Sequence, residues 1–202
     1  MDDLPESAKD EPSVPTSDEQ LMLAFVKGSA ESFNELFLRY KQPLFGFFRR
    51  RVCDLAMAEE LTQETFLAVL RASVRYEPNA LFRTYLYAIG FKILRAHRRK
   101  AAFRAAFWVD RKRVEDPAGH DSTDSGVLLK EVMRKLESTD REILLLREFE
   151  QLSYSEIAKV LHLPLNTVRS RLFRARKALR ELLETPAPRP CVQELAEFED
   201  GV

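Results

Sequence analysis

The sequence predicts an all-α protein: two small helical domains joined by a flexible linker, the second a helix-turn-helix. Three observations lead there. From Ser17 onward apolar residues recur at spacings of three and four, as in FVKGSAESFNELFLRY, and no segment alternates apolar with polar residues as a sheet strand does. Residues 114–126, VEDPAGHDSTDSG, collect Pro, Gly, Ser, Thr and Asp without a period and divide the helical pattern in two. Residues 153–182 read as two amphipathic helices around a short turn.

The elements follow in order. Residues 1–17 are acidic, polar and Pro-containing, and are expected to be disordered. The first domain, 18–113, should hold four helices near 17–28, 30–53, 55–75 and 80–100, with an extension toward 113. Pro43 and Pro78 interrupt the pattern, Pro78 within the loop RYEPNALF. After the 114–126 linker comes the second domain, 127–184. Thr139 with Glu142 and Ser153 with Glu156 have the spacing of capping boxes, which places helix starts near 140 and 154. The tail 185–202 opens with a Pro run, and VQELAEF within it has the pattern of a short amphipathic helix.

Composition restricts the function classes. Thirty-two Lys and Arg balance thirty-two Asp and Glu, so the formal net charge is zero. The charges are segregated, however: residues 1–20 hold seven acids against Lys9, and 184–202 hold five against Arg189. Residues 83–113 hold ten Lys and Arg against Asp110 alone. Such a chain is expected to contact nucleic acid through patches while its ends stay solvated. No apolar run approaches the ~18 residues of a membrane span, and the acidic start is not a signal peptide, so a soluble cytoplasmic protein is expected. Cys53 and Cys191 lack ligand-spaced partners and read as ordinary thiols, so neither a metal nor a cofactor site is expected. No carboxylate pair, nucleophile–base set or phosphate-cradling Gly loop is evident, and His97, His120 and His162 stand in non-catalytic settings. An enzyme is not expected.

In the helix-turn-helix, Ile157, Val160 and Leu161 give the first helix a buried stripe, and Ala158 permits close helix approach. A turn from His162 to Leu165 leads to Asn166, a good N-cap for the next helix. His stands where such turns usually have Gly, but it is among the residues that tolerate positive φ. On a helical projection Val168, Leu172, Ala175, Leu179 and Leu182 share one arc, and Arg169, Ser170, Phe173, Arg174 and Lys177 lie opposite. The second face offers guanidinium forks for guanine, a hydroxyl, and an aromatic edge for a thymine methyl. Phe173 fits either that exposed role or burial against a neighbouring helix. Thr167, with Arg176 or Arg180 on the flank, is placed to touch phosphate.

In the first domain, FRTYLYAIGFKILRAHRRK interleaves Phe82, Tyr85, Tyr87 and Phe91 with Arg83, Lys92, Arg95, Arg98 and Arg99. Rings that stack unpaired bases and cations that follow a backbone suit single-stranded DNA, although aromatics at helical spacing are as readily core. In EELTQETFLAVLRA, Leu61, Phe66, Val69 and Leu70 make a core side, leaving Glu60, Gln63, Glu64 and Leu67 on a mixed face that suits either solvent or a protein partner.

Taken in order, ESFNELFLRYKQPLFGFFRRR, EELTQETFLAVLRA, FRTYLYAIGFKILRAHRRK and LESTDREILLLREFEQLSYSEIAKVLHLPLNTVRSRLFRARKALREL resemble the motifs of extracytoplasmic-function (ECF) sigma factors of bacterial RNA polymerase, over about residues 20–184. The resemblance implies that the first domain binds the β′ clamp helices of core polymerase and reads the minus-ten element. The second would read the minus-thirty-five element and sit on the β flap. By position it assigns Glu60, Leu61, Gln63, Glu64 and Phe66 to polymerase binding, and Tyr76, Asn79, Phe82, Tyr85, Lys92, Arg95, Arg98 and Arg99 to minus-ten DNA. It assigns Thr167, Arg169, Ser170, Phe173, Arg174 and Lys177 to minus-thirty-five DNA. The family commonly has Asp at Glu60, Trp at Tyr85 and Asn at Lys92; the last two departures bear on which minus-ten base is preferred. An anti-sigma factor is a further implied partner. The competing reading is a LuxR-type helix-turn-helix regulator, which would need a sensing domain in the first half.

Overall fold

The computed structural model describes residues 16–52, 54–107 and 133–184. Its seven named α-helices are α1 (Asp18–Val26), α2 (Ala30–Arg49), α3 (Leu55–Ala72), α4 (Phe82–Phe107), α5 (Ser138–Glu148), α6 (Tyr154–Leu161) and α7 (Leu165–Glu184), with a 3-10 turn at Ser73–Arg75. No strand occurs among the described residues.

Helices α1 to α4 pack in sequence, each against the next. Hydroxyl and carboxylate caps begin the first three. Ser17 and Gln20 close a capping box on α1, Ser29 accepts from the Ser32 N–H at α2, and Asp54 accepts from the Ala56 N–H at α3. The first N–H of α4 is taken by Glu19 of α1 at 2.7 Å, a carboxylate set against the positive end of a helix. The core beneath is Met22, Leu36, Leu44, Phe47, Phe48, Phe82, Leu86 and Leu94, all fully buried. Gly90 belongs to this packing. A Cβ there would meet Leu44 and Phe48 at 3.4 Å, so the small residue lets α4 approach α2 closely.

Several expectations need correction. Pro43 lies inside α2 and does not break it. Proline removes one backbone donor and normally kinks or breaks a helix. Here burial of Leu36 before it and Leu44, Phe47 and Phe48 after it holds both halves on one core. The Thr139–Glu142 capping box does not form: α5 begins at Ser138, with Glu137 as an N-cap that makes no side-chain cap bond. Glu142 is drawn away by arginines of the first domain. Helix α2 ends at Arg49, short of 53, whereas the expected extension of α4 beyond 100 is present as far as Phe107. Helix α7 starts at Leu165, so Asn166 is inside its first turn and is not the cap.

The second unit packs α5 and α6 against α7. Ser153 and Glu156 form the expected capping box on α6. His162 ends α6 with φ 55°, in the left-handed region that the turn requires. Ile143, Leu146, Leu152, Ile157 and Val168 are fully buried, with Val160, Leu172 and Ala175 nearly so. Helix α6 also packs directly on α4. Residues 1–15, Cys53, His120, Cys191, the 114–126 linker and the 185–202 tail lie outside the described residues.

Candidate nucleic-acid interface

The turn at 162–164 sets α7 across α6, and the apolar arc of α7 fixes its roll. With Val168, Leu172 and Ala175 buried, Arg169, Ser170, Arg174 and Lys177 are turned outward, and Phe173 is 72% exposed. Exposure therefore decides between the two roles that the sequence left open for Phe173. Arg169 and Arg174 have no ion-pair partner among the described residues, while Lys177 has Glu181 at 3.7 Å. Ser170 Oγ donates to the Thr167 carbonyl at 3.1 Å, and Thr167 is half-buried at the start of the row.

Two flanking arginines serve a different purpose. Arg171 holds Glu137 and Asp140 of α5, the latter at 2.8 Å, and Arg176 holds Glu148 at 2.7 Å. Both tie the back of α7 to α5. Arg176, expected as a phosphate contact, is thus engaged within the fold.

The minus-ten set divides by burial. Tyr76 and Phe82 are core, at 8% and 0% exposed, and form an aromatic cluster with the half-buried Tyr85: Tyr76–Tyr85 centroids are 5.3 Å apart, and Tyr40–Phe82 5.5 Å. Two of the three aromatics assigned to minus-ten DNA therefore form the floor of the loop, and their inward packing, with the Phe82 N–H bound to Glu19, holds the short 76–82 segment down. Burial pushes the Tyr76 hydroxyl up to about 12, and the hydroxyl is enclosed without a hydrogen-bond partner. Asn79 is exposed and donates to Glu77 at 2.9 Å. Lys92, Arg95 and Arg99 are exposed along one side of α4, without ion-pair partners among the described residues. Arg98 is not free. It donates to Glu142 of α5 at 2.9 Å.

The polymerase set divides in the same way. Leu61 and Phe66 are buried at 2% and 4%, and Phe66 packs edge-on against Phe37 at 4.8 Å. They are core residues in this fold, as the helical period of α3 requires. Glu60, Gln63 and Glu64 are exposed, and Leu67, which the family positions did not select, is 48% exposed among them. Beside this face a groove of about 340 Å³ runs between α3 and α4. Its floor includes Met57 and Ile93, and Glu60 and Glu64 face Lys100 and Arg104 across it.

Sequence reasoning missed the acids that join the two units. Glu156 takes Arg83 in a bidentate pair at 2.7 and 2.8 Å, with Thr84 Oγ1 at 2.9 Å. Arg51, whose side chain is 0% exposed, reaches Glu142 at 2.7 Å and Glu150 at 3.2 Å. Only the charge runs hinted at this, and nothing in them pairs particular residues across ninety positions.

The chain matches the description "Sigma-70 region 2" over residues 36–103 and "Sigma-70, region 4" over residues 127–179. It is 32% identical over 184 residues to the RNA polymerase sigma-H factor of Pseudomonas aeruginosa, covering 83% of this chain and 94% of the relative. The chain belongs to the ECF sigma factors. It is 32% identical over 166 residues to the sigma factor CarQ of Myxococcus xanthus, covering 80% and 95% of the two chains. With the ECF sigma-E factor of Escherichia coli K12 it shares 29% over 177 residues, 81% and 92%. The fold is that of CnrH, solved with the cytosolic domain of CnrY (TM-score 0.65, 24% identity, 85% of this chain and all of that one). It is also that of the Bartonella quintana sigma factor RpoE, solved with the anti-sigma factor NepR (TM-score 0.64, 24% identity, 78% of this chain and all of that one). As an alternative sigma factor this ECF protein directs RNA polymerase to promoters, and the LuxR-type reading is not favoured: region 2 stands where that reading needs a sensing domain. No described helix is long and apolar enough to cross a membrane.

Proposed function

We propose that residues 18–113 form the polymerase-binding and minus-ten domain, and residues 127–184 the minus-thirty-five domain, of an alternative sigma factor that acts in the cytoplasm without a chemical step of its own. One observation carries the reading: the α7 face with Arg169, Ser170, Phe173, Arg174 and Lys177 stands outward, while Val168, Leu172 and Ala175 of its opposite arc are buried in the core. An exposed aromatic among guanidiniums, outside the apolar core of the described residues, suits a major groove, where forks read guanine and a ring meets a thymine methyl. Thr167 begins the same row.

On the first domain Tyr85, Asn79, Lys92, Arg95 and Arg99 face the unpaired minus-ten strand, with Arg98 added when it is released from Glu142. Tyr76 and Phe82 hold the loop from beneath. Extruding a base requires a few kcal/mol, within what stacking and phosphate pairing offset. Glu60, Gln63, Glu64 and Leu67 form the surface for the β′ clamp helices, and the second domain rests on the β flap. Two weak readers held on one polymerase gain effective concentration, which is how a chain of zero net charge can select promoters. An anti-sigma factor is a further partner, as two proteins of the same fold were solved with CnrY and NepR.

Reconstitution tests this. Core polymerase with the chain should initiate at a defined subset of promoters, and the chain alone should not shift them. Initiation that loses no selectivity when the α7 face is replaced would overturn the assignment.

A further inference from the structure

The loop after the 3-10 turn is fixed at both ends and short between them. At its start the Tyr76 ring is buried and packs on Phe82, with centroids 6.4 Å apart. At its end Phe82 is fully buried, and its N–H is bound to Glu19 of α1 at 2.7 Å. Tyr40 meets the Phe82 ring edge-on at 5.5 Å, and its hydroxyl donates to Asp18 of the same α1. Between these anchors stand Glu77, Pro78, Asn79, Ala80 and Leu81.

Glu77 and Asn79 carry the polar side chains of that bridge, and they are joined. The Asn79 side-chain nitrogen donates to Glu77 Oε2 at 2.9 Å, and the Asn79 backbone N–H donates to the Glu77 carbonyl at 2.7 Å. Pro78 between them has its φ held near about −65° by its ring. A carboxylate accepts hydrogen bonds and donates none, so the amide turns its NH2 toward Glu77. The Asn79 carbonyl oxygen and the second Glu77 oxygen are left to accept from outside, on two exposed residues.

We propose that Glu77 is a positioning residue for minus-ten recognition: bound to Asn79, it makes the loop select an unpaired base that carries an exocyclic amino group and reject thymine. The inference rests on the sigma reading and adds to it the chemistry of the base. An extruded base is read along its Watson–Crick edge. An amide alone offers one acceptor and one donor, and could pair with any base in one orientation or another. The carboxylate beside it removes that freedom, because it fixes the direction of the amide and adds a second acceptor. An exocyclic amino group has two hydrogens and can meet both oxygens at once. Adenine, cytosine and guanine have such a group. Thymine sets a carbonyl oxygen on each side of a single N–H, and those oxygens are repelled by the acceptors of the loop. The charge of Glu77 also repels phosphate, so the pair suits a base edge, and the backbone is left to Lys92, Arg95 and Arg99.

The test uses the full chain with core polymerase, on fork-junction promoters whose non-template strand carries each of the four bases at each minus-ten position in turn. At one position thymine should bind about tenfold more weakly than the best amino-bearing base. Glu77→Gln should bring thymine to within about twofold of that base, since a glutamine can itself donate and frees Asn79 to present an N–H. Its melting temperature should match that of the unsubstituted protein, because both residues are exposed, and discrimination at the minus-thirty-five element should not change. Asn79→Ala should lose discrimination at the same minus-ten position. Thymine accepted equally wherever the base matters, or thymine still rejected by Glu77→Gln, overturns the inference. An equal gain of Glu77→Gln on all four bases also overturns it, because Glu77 would then act on phosphate alone. Binding of the unsubstituted protein that depends on no minus-ten base would instead overturn the minus-ten reading itself.

Discussion

Arg83 of α4 donates from Nε and Nη2 to the two carboxylate oxygens of Glu156 on α6, at 2.7 and 2.8 Å. The same carboxylate accepts the Ser153 N–H at 2.8 Å and closes the capping box of the helix-turn-helix. One side chain therefore joins the start of the second domain's DNA-binding motif to the helix proposed for the minus-ten element. Ser153→Ala should remove the cap alone and lower stability by about 1 kcal/mol. Glu156→Gln should keep the cap and weaken the grip on Arg83. Denaturant melts and energy transfer between dyes on the two domains, measured on both variants, separate the two losses.

Acid should act through the same residue. Burial works against the charged Glu156, but hydrogen bonds from Arg83, Ser153 and Thr84 more than offset it and hold the carboxyl at about 2, below its ordinary 4.5. A folded value below the unfolded one means that the stabilisation is complete above about 4.5 and is lost as pH falls toward about 2. Melting temperature should decline across that window, and Glu156→Gln should decline less steeply. Parallel curves for the two proteins would contradict the role.

The buried Tyr76 hydroxyl has no partner, so removing it relieves a desolvated polar group. Tyr76→Phe should melt at or slightly above the temperature of the unsubstituted protein, and promoter opening should not change. A loss of opening would return Tyr76 to the DNA-contacting set.

On α3, burial separates stability from binding. Phe66→Ala should lower stability by about 3–5 kcal/mol, because it empties a site packed against Phe37 and Phe33. Leu67→Asp should leave the melt nearly unchanged and weaken core-polymerase binding. Calorimetry and a polymerase binding titration read the two effects.

These contrasts show how far the sequence carried the interpretation. Helical period placed the outward face of α7, because Val168, Leu172 and Ala175 leave only one way to bury the helix. The same period put Leu61 and Phe66 in the core, while family position alone had made them contacts. Aromatics near a loop, such as Tyr76 and Phe82, are ambiguous in sequence, since a ring that stacks on a base and a ring that holds a loop down have the same spacing. Pro43 misled because a proline's local penalty says nothing of the tertiary packing that overrides it. The pairing of the domain-joining acids was not legible: Glu142 and Glu156 looked like helix caps, and their partners Arg51 and Arg83 are more than seventy residues away.

The assignment of α7 as the minus-thirty-five reader is the central claim, and Arg174→Ala tests it most directly. In the polymerase complex, affinity is measured on promoters that carry each substitution across the minus-thirty-five element. Discrimination should weaken at one base pair by about 1–3 kcal/mol and stay intact elsewhere. An equal loss on every sequence would make Arg174 a phosphate contact, and no loss on any would contradict the proposed reading face.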